Sequence, residues 1–379
     1  MQQDALEKTE ILFFLTNTPC PRLQKKIKAA SKCANTSVIY WLRSNYSFET
    51  GLTDLALLLP IKGNFLNSNG IWRIVSFLIF IKNAIPLLFR AKKVKIIFID
   101  YIDVLFFTRL FYRNRNIKLI YEVGDLINLQ YGCHSQIVAC FSSIEKFLMK
   151  KVTTLILPSP FFWSEYYKYI FTGNWMLMEN LPEAKVWNNF VKKQCDEEYV
   201  VGFIGSIRYL KPLKCLFEAI KVMRSAGHNI RIIFAGTGPD EKELFLLAKD
   251  LDFVTFSGAY QYEKDAPRLY GMVDMIYSVY DSSIANVKIA LPNRLYEAII
   301  CSLPIVVAKG TNLEKYVNAY EIGYAVDYLS IGEHVNVLES QMNNDQKAQA
   351  INKSLQKINK AAFMYDKYYD ELKHLFSLH

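Results

Sequence analysis

Three short segments place residues that could handle a charged ligand at useful spacings. The first is Gly202–Lys211, GFIGSIRYLK. An apolar run ends at Gly205. A loop with Ser206, Arg208 and Lys211 follows, and Pro212 opens a helical pattern. Glycine at a strand end lets a ligand approach the backbone, and a helix N-terminus offers unpaired N–H groups with partial positive charge. Arginine adds bidentate contact to phosphate oxygens. Diphosphate binding is the chemistry this suits, although glycine–basic loops also serve as plain turns. The second segment is Ala235–Pro239, AGTGP, where Gly236 and Gly238 would allow close approach to a ribose or phosphate. It is not a dinucleotide fingerprint: the third glycine is absent, and the strand before it ends in Ala235, not in an acid. The third is Leu291–Val307, LPNRLYEAIICSLPIVV. Pro292 suits a helix first turn, Asn293 and Arg294 stand at the helix start, and Glu297 lies one turn on along the same face. A carboxylate there can accept two hydrogen bonds from ribose hydroxyls, or simply cap its own helix dipole.

In the other half, Glu122 and Asp125 follow an apolar run ending at Tyr121. Either could orient or deprotonate a hydroxyl, or be a satisfied loop carboxylate. Asp250-Leu251-Asp252 resembles a metal-binding DxD, but it falls at a helix end and is set aside. The five histidines show no ligand spacing, so no metal is expected. There is no P-loop and no serine elbow.

The elements that must position these groups alternate between short apolar runs and helical stretches, which predicts α/β architecture with parallel sheets. Strands are expected at Glu10–Leu15, Ser37–Trp41, Val94–Ile99, Ile117–Tyr121, Thr154–Leu157, Tyr199–Ile204, Ile230–Ala235, Phe253–Phe256, Met275–Tyr280 and Pro304–Ala308. The character shifts near residues 181–198, where Leu181-Pro182 is followed by the polar stretch KKQCDEEY, and this marks a linker. The expected division is residues 1–185, residues 196–345, and a helical tail over 346–379.

A chain of 379 residues that is 51% hydrophobic has the size and core of two domains. The net charge of +9 is uneven: residues 1–180 carry 22 Lys/Arg against 12 Asp/Glu. The densest run, Lys82 to Lys118, holds Arg90, Lys92, Lys93, Lys95, Arg109, Arg113 and Arg115, suiting an anionic lipid surface or a solvated face. Charge alone does not establish nucleic-acid binding, and none is expected. Ile71–Phe89 approaches the length of a membrane span, but Arg73, Lys82, Asn83 and Pro86 interrupt it. It reads as a helix packed on a sheet or lying at a membrane surface. Seven scattered cysteines and a polar N-terminus predict free thiols in a reducing, cytoplasmic compartment.

Taken in order, the G-x-x-R-x-x-K loop (205–211), the AGTGP turn (235–239) and the PNRLYEA helix (292–298) resemble the donor domain of retaining glycosyltransferases of the GT-B fold, in the large family 4 (group 1) class. FSGAY (256–260), YGMVD (270–274) and IGYAVD (322–327) extend the likeness over roughly residues 199–330. YEVGD (121–125), the helix 144–151 and ENLP (179–182) continue it loosely. The resemblance implies two Rossmann-like domains facing across a cleft, with the last helix crossing back to brace the N-terminal domain. It implies transfer of a sugar from a nucleoside diphosphate to an acceptor hydroxyl, with retention, no metal, and the sugar nucleotide as co-substrate. Arg208 and Lys211 would bind and stabilise the departing diphosphate. Gly205 and Ser206 would let it approach, Asn293 and Arg294 would lie beside the phosphates, and Glu297 would bind the ribose. The N-terminal half would bind the acceptor, with the leaving phosphate as one candidate proton acceptor and Glu122 or Asp125 as others.

Two departures stand out. The family often has a glutamate eight positions before the ribose glutamate, and here that position is Ile289, so the sugar contact must come from elsewhere in Ser282–Asn293. The loop Thr16–Pro21 lacks glycines. The basic N-terminal half adds the expectation of a lipid-linked glycan acceptor of bacterial surface-polysaccharide synthesis, met on the inner face of the plasma membrane. A nucleotide-sugar epimerase of the same fold and a non-catalytic partner subunit are the alternatives.

Overall fold

The computed structural model describes residues 2–42, 52–62, 70–112, 116–124, 126, 143–188, 190–192 and 198–378. Asp125, Arg113, Arg115, Cys133, Cys140 and Cys195 lie outside the described residues. The chain forms two compact units. Unit 1 comprises Met1–Glu179 and Tyr368–His379, and unit 2 comprises Asn180–Lys367.

Unit 1 is built on seven parallel strands: β1 (Ile11–Leu15), β2 (Thr36–Leu42), β3 (Leu57–Lys62), β4 (Ile96–Ile99), β5 (Lys118–Glu122), β6 (Thr154–Leu157) and β7 (Asn174–Leu177). Their order is β3-β2-β1-β4-β5-β6-β7. The central strands are unbroken apolar runs, ILFFL in β1 and IIFI in β4, and every residue of both is buried. Such runs suit parallel strands covered on both faces. The order reverses beside β1, so the loops after β1 and β4 diverge and open a crevice at the carboxyl ends of the strands.

Unit 2 repeats the plan with β8 (Tyr199–Ile204), β9 (Ile230–Ala235), β10 (Val254–Gly258), β11 (Met275–Ser278), β12 (Ile305–Ala308) and β13 (Gly323–Val326), ordered β10-β9-β8-β11-β12-β13. The reversal falls between β8 and β11. All the strand pairings are parallel.

The expected strands form with ends shifted by a residue or two, while β3, β7 and β13 are additional. β3 and β7 are edge strands that stay largely open, and β3 contains Pro60, which only an edge or bulge tolerates. The expected continuous tail is broken. A helix over Gln346–Lys357 stops at Ile358, whose backbone is extended, and Asn359 caps a short 3-10 turn by accepting from the Ala361 amide. That helix stays with unit 2, whereas the last helix, Tyr369–Phe376, belongs to unit 1.

The helix Gly70–Arg90 spans the apolar stretch noted above and holds Pro86 inside it. Among the described residues, no helix is long and apolar enough to cross a membrane.

The last helix lies on the helix Pro21–Ser31. Its Phe376 ring sits 5.9 Å from Phe13, which itself stacks on Phe98 at 4.8 Å. Lys118 Nζ donates to the Leu375 carbonyl at 2.5 Å. All three rings are wholly buried. Phe376→Ala is expected to cost unit 1 about 3–5 kcal/mol and to free the last helix. Thermal unfolding, with proteolysis of the C-terminal segment, checks both outcomes.

Candidate functional site: a cavity at the strand reversal of unit 2

Gly205 follows β8 with φ +126°, a conformation that favours glycine. Its amide donates to the Ala235 carbonyl at 2.7 Å, and Ile207 N donates to Thr237 O at 3.1 Å. The loops after β8 and β9 therefore run side by side. A Cβ on Gly236 would lie 2.2 Å from the Gly205 carbonyl oxygen, and one on Gly238 would lie 2.2 Å from that of Ile207. The second glycine pair thus serves the contact of loop on loop and does not reach the cavity wall. The expected ligand-facing role of Gly236 and Gly238 gives way to a packing role.

That paired loop forms one wall of a cavity of about 330 Å³. Gly205, Ser206, Arg208, Asn293, Arg294 and Glu297 all line it, so the structure brings together six of the residues singled out from sequence. Tyr209, Tyr260, Tyr262, Tyr280 and Asn286 complete the polar lining and were not anticipated. Ile289, eight positions before Glu297, is buried at the end of the helix Ala285–Ile289. The polar side chain that this segment turns to the cavity is Asn286 instead.

Arg294 is only 5% exposed. Its guanidinium lies 3.8 Å from the Phe203 ring centre and 5.5 Å from that of Tyr280. It donates to Ser206 O at 3.3 Å and Tyr277 O at 3.4 Å, which ties the end of β8 to the end of β11. A Cβ at position 205 would come 3.0 Å from its Nη2, so Gly205 makes room for this side chain as well as for any ligand.

Two helices begin at the cavity. The helix Asn293–Cys301 starts after Pro292, and the helix Leu210–Ser225 after Tyr209. Neither has a side-chain cap or an acidic residue in its first turn, so the first-turn amides of both lack a side-chain acceptor. Tyr209 holds φ 66°, a strained value for a non-glycine residue, and its amide is fixed by Asp240 at 2.8 Å. Tyr277 supports the second helix by donating its hydroxyl to Pro212 O at 2.9 Å.

Arg208 stands at the wall with Nε donating to Ser206 Oγ at 3.1 Å. Lys211 lies just outside the wall, with its side chain 68% exposed and Nζ 3.5 Å from Asp281. Burial alone would raise the Asp281 carboxyl, but hydrogen bonds from Ser283 and Tyr328, together with Lys211, hold it below the usual carboxylate range. Glu297 accepts from the buried Tyr270 hydroxyl. Asn293 Oδ1 accepts from Asn180 Nδ2 at 2.8 Å. Burial, then the Glu297 charge, pushes the Tyr260 phenol up to about 12, so this hydroxyl stays a neutral donor at the wall. The arrangement can hold an anionic group against Arg208 and two helix ends, with a carboxylate and phenols beside it for hydroxyl-rich groups.

In unit 1, Glu122 is corrected from an acceptor-facing group to a structural one. It ends β5 with no exposed surface, and its carboxylate lies 3.0 Å from Lys26 Nζ and 3.4 Å from Arg22 Nε. A buried carboxylate gripped by two cations does not reach a hydroxyl in solvent. Burial lowers the Lys26 ammonium's pKa, and the Glu122 charge opposes the fall. Asp100, just after β4, accepts from the Thr16 amide at 3.4 Å. Burial, with Asp103 adding to it, pushes its carboxyl up from 3.8 to about 8.

Two outcomes follow. Asp100 holds in the fold a proton that it loses on unfolding, so its contribution to stability falls as pH rises from about 4 to about 8 and is flat above. Asp100→Asn should flatten that slope, read as unfolding temperature against pH. Gly236→Ala meets both positive φ and the Gly205 carbonyl, and should lower stability by more than about 1 kcal/mol in a denaturant titration.

Known proteins bear on this site in three ways. Residues 186–358 match the family model described as glycosyl transferases group 1. Solved structures cover nearly the whole chain. Sucrose-phosphate synthase from Thermosynechococcus elongatus has TM-score 0.73 and 14% identity, covering 97% of this chain and 98% of its own. HepE from Anabaena in complex with UDP-glucose has TM-score 0.69 and 15% identity, covering 96% and 98%. WaaG, a glycosyltransferase involved in lipopolysaccharide biosynthesis, has TM-score 0.64 and 12% identity, covering 96% and 99%. No curated protein matches the chain by sequence. Residues 186–358 thus match the glycosyl transferases group 1, and the chain has the GT-B fold of glycosyltransferases, with two Rossmann-like units.

Proposed function

We propose that the unit 2 cavity binds a nucleoside-diphosphate sugar, with UDP the leading nucleotide, and that the chain passes its sugar to an acceptor hydroxyl with retention, as in the family 4 class. The observation that carries this reading is the convergence of Arg208, two uncapped helix N-termini and Glu297 on one cavity. The helix ends and Arg208 receive the diphosphate, with Lys211 swinging from Asp281 to join them. Glu297 and the tyrosines take the ribose and base. HepE, whose fold this chain shares, has been solved with UDP, with UDP and glucose, and with UDP-glucose.

Charge on the departing diphosphate is met by side chains and helix ends, so no metal is required in this reading, and a chelator should leave the rate unchanged. In this reading the leaving phosphate takes the acceptor's proton, and Glu122, enclosed by its cations, does not. The acceptor we propose is a lipid-linked glycan of surface-polysaccharide synthesis, met at the cytoplasmic face of the membrane by the basic unit 1. WaaG and the lipopolysaccharide outer core galactosyltransferase WaaB are likenesses in keeping with it.

A thermal-shift screen with UDP, GDP, dTDP and ADP tests the donor site. Ligand at a hundredfold excess over Kd should add about 2.7 kcal/mol of stability. The shift should appear with one diphosphate and vanish in Arg208→Ala. No shift with any nucleotide would remove the donor reading. Donor turnover without an acceptor would point instead to an epimerase.

A further inference from the structure

A second cavity, of about 640 Å³, lies in unit 1 and takes no part in the donor site. It runs between the helix Ile102–Phe111 and residues 147–151, and reaches the sheet at Ile97 of β4 and Leu119 of β5. Its inner wall is apolar. Its mouth carries Phe106, Leu110 and Phe147, which are 50%, 61% and 59% exposed. Three large apolar side chains left in water around one opening mark an interaction surface.

The same mouth is cationic. Arg109 lies 4.5 Å from the Phe147 ring centre and donates to the Phe147 carbonyl at 2.6 Å, and Lys151 lines the cavity beside it. Among the described residues neither is ion-paired with a carboxylate. The nearby acid, Glu145, is buried and already accepts from Tyr166 and Tyr167. Thr108, 2% exposed, helps close the inner wall, and its hydroxyl is shielded from solvent with no hydrogen-bond partner. A buried orphan hydroxyl is costly and is normally satisfied by something.

The surface continues along the helix Gly70–Arg90. Val75, Leu78, Ile79 and Phe89 form one exposed stripe at helical spacing, interspersed with Lys82 and Arg90. Phe89 meets Phe111 edge-on at 5.8 Å, which joins the stripe to the cavity's helix. A soluble phosphate would leave the apolar chamber unused, and a neutral lipid would leave the cations unused.

We propose that this cavity binds an anionic phospholipid, with one acyl chain inside and its phosphate between Arg109 and Lys151. The site seats unit 1 on the bilayer. It deepens the membrane reading above and rests on it.

The test uses the full chain. Vesicles of phosphatidylcholine with about one quarter phosphatidylglycerol measure membrane binding by flotation. Dihexanoyl phosphatidylglycerol, kept below its micelle concentration, measures the site by calorimetric titration. Saturable binding of the short-chain lipid is expected, with none for glycerol 3-phosphate, which has the phosphate without the chains. Basic residues at a membrane surface contribute about fivefold each, so Arg109→Gln with Lys151→Gln should weaken both binding modes about 30-fold. Leu110→Asp, at an exposed position, should weaken flotation with an unchanged melting temperature. Failure to float with anionic vesicles would overturn the membrane reading and this site together. Flotation that survives both variants, or equal binding of glycerol 3-phosphate, would overturn the site alone. The nucleotide shift is an independent readout that neither result moves.

Discussion

Unit 2 depends on one buried guanidinium. Arg294 sits between the ring faces of Phe203 and Tyr280 and spends two donors on the carbonyls of Ser206 and Tyr277. Those carbonyls stand at the ends of β8 and β11, the two strands between which the sheet order reverses. A reversal leaves adjacent loops running apart, and some group must hold the opening at a fixed width. A planar cation with several fixed donors does so, whereas a lysine at this position would reach one carbonyl at a time. The demand for glycine at position 205 follows, because any side chain there would press on the guanidinium. The demand for glycine at 236 follows in turn, since Gly205's carbonyl occupies the space a side chain would need.

Unit 1 meets the same geometric problem with charge. Its reversal lies between β1 and β4, and the nearby acids Asp100 and Glu122 are buried. Glu122 is neutralised by Arg22 and Lys26, one turn apart on the helix after β1. Asp100 is neutralised by keeping its proton. Removing one partner of a buried ion group typically costs about 3–5 kcal/mol, because the remaining charge is stranded. The crevice of unit 1 is therefore walled by groups whose charges are already spent.

Much of this was legible where the signal is local. The run Gly205–Lys211 and the helix opening at Asn293 are each continuous in sequence, so a short apolar strand, a glycine and a helix start placed Arg208, Arg294 and Glu297 on one wall. The tyrosines of that wall could not be foreseen in the same way: Tyr209, the Tyr260–Tyr262 pair and Tyr280 come from three separate segments, and no spacing links those segments. Glu122 looked like a free acid at a strand end, because its cations lie on a distant helix that reads as an ordinary basic surface. Gly236 and Gly238 read from sequence as places where a ribose or phosphate could approach, but the neighbour that fills the space is protein backbone. β7 escaped notice because its four residues, NWML, are too short and too open to show an apolar run, and β3 because Pro60 interrupts its run LLLPIK.

The return of the last helix to unit 1 also sets an order in time. A chain made from its N-terminus has the whole of unit 2 available before Phe376 exists, whereas Phe13 waits for that ring through all the synthesis between them. Unit 2 closes as a continuous stretch. Unit 1 carries the sheet of the first half with one patch of its core open until Phe376 arrives. A chain cut between Lys367 and Phe376 would keep all of unit 2 and leave unit 1 exposing Phe13 and Phe98.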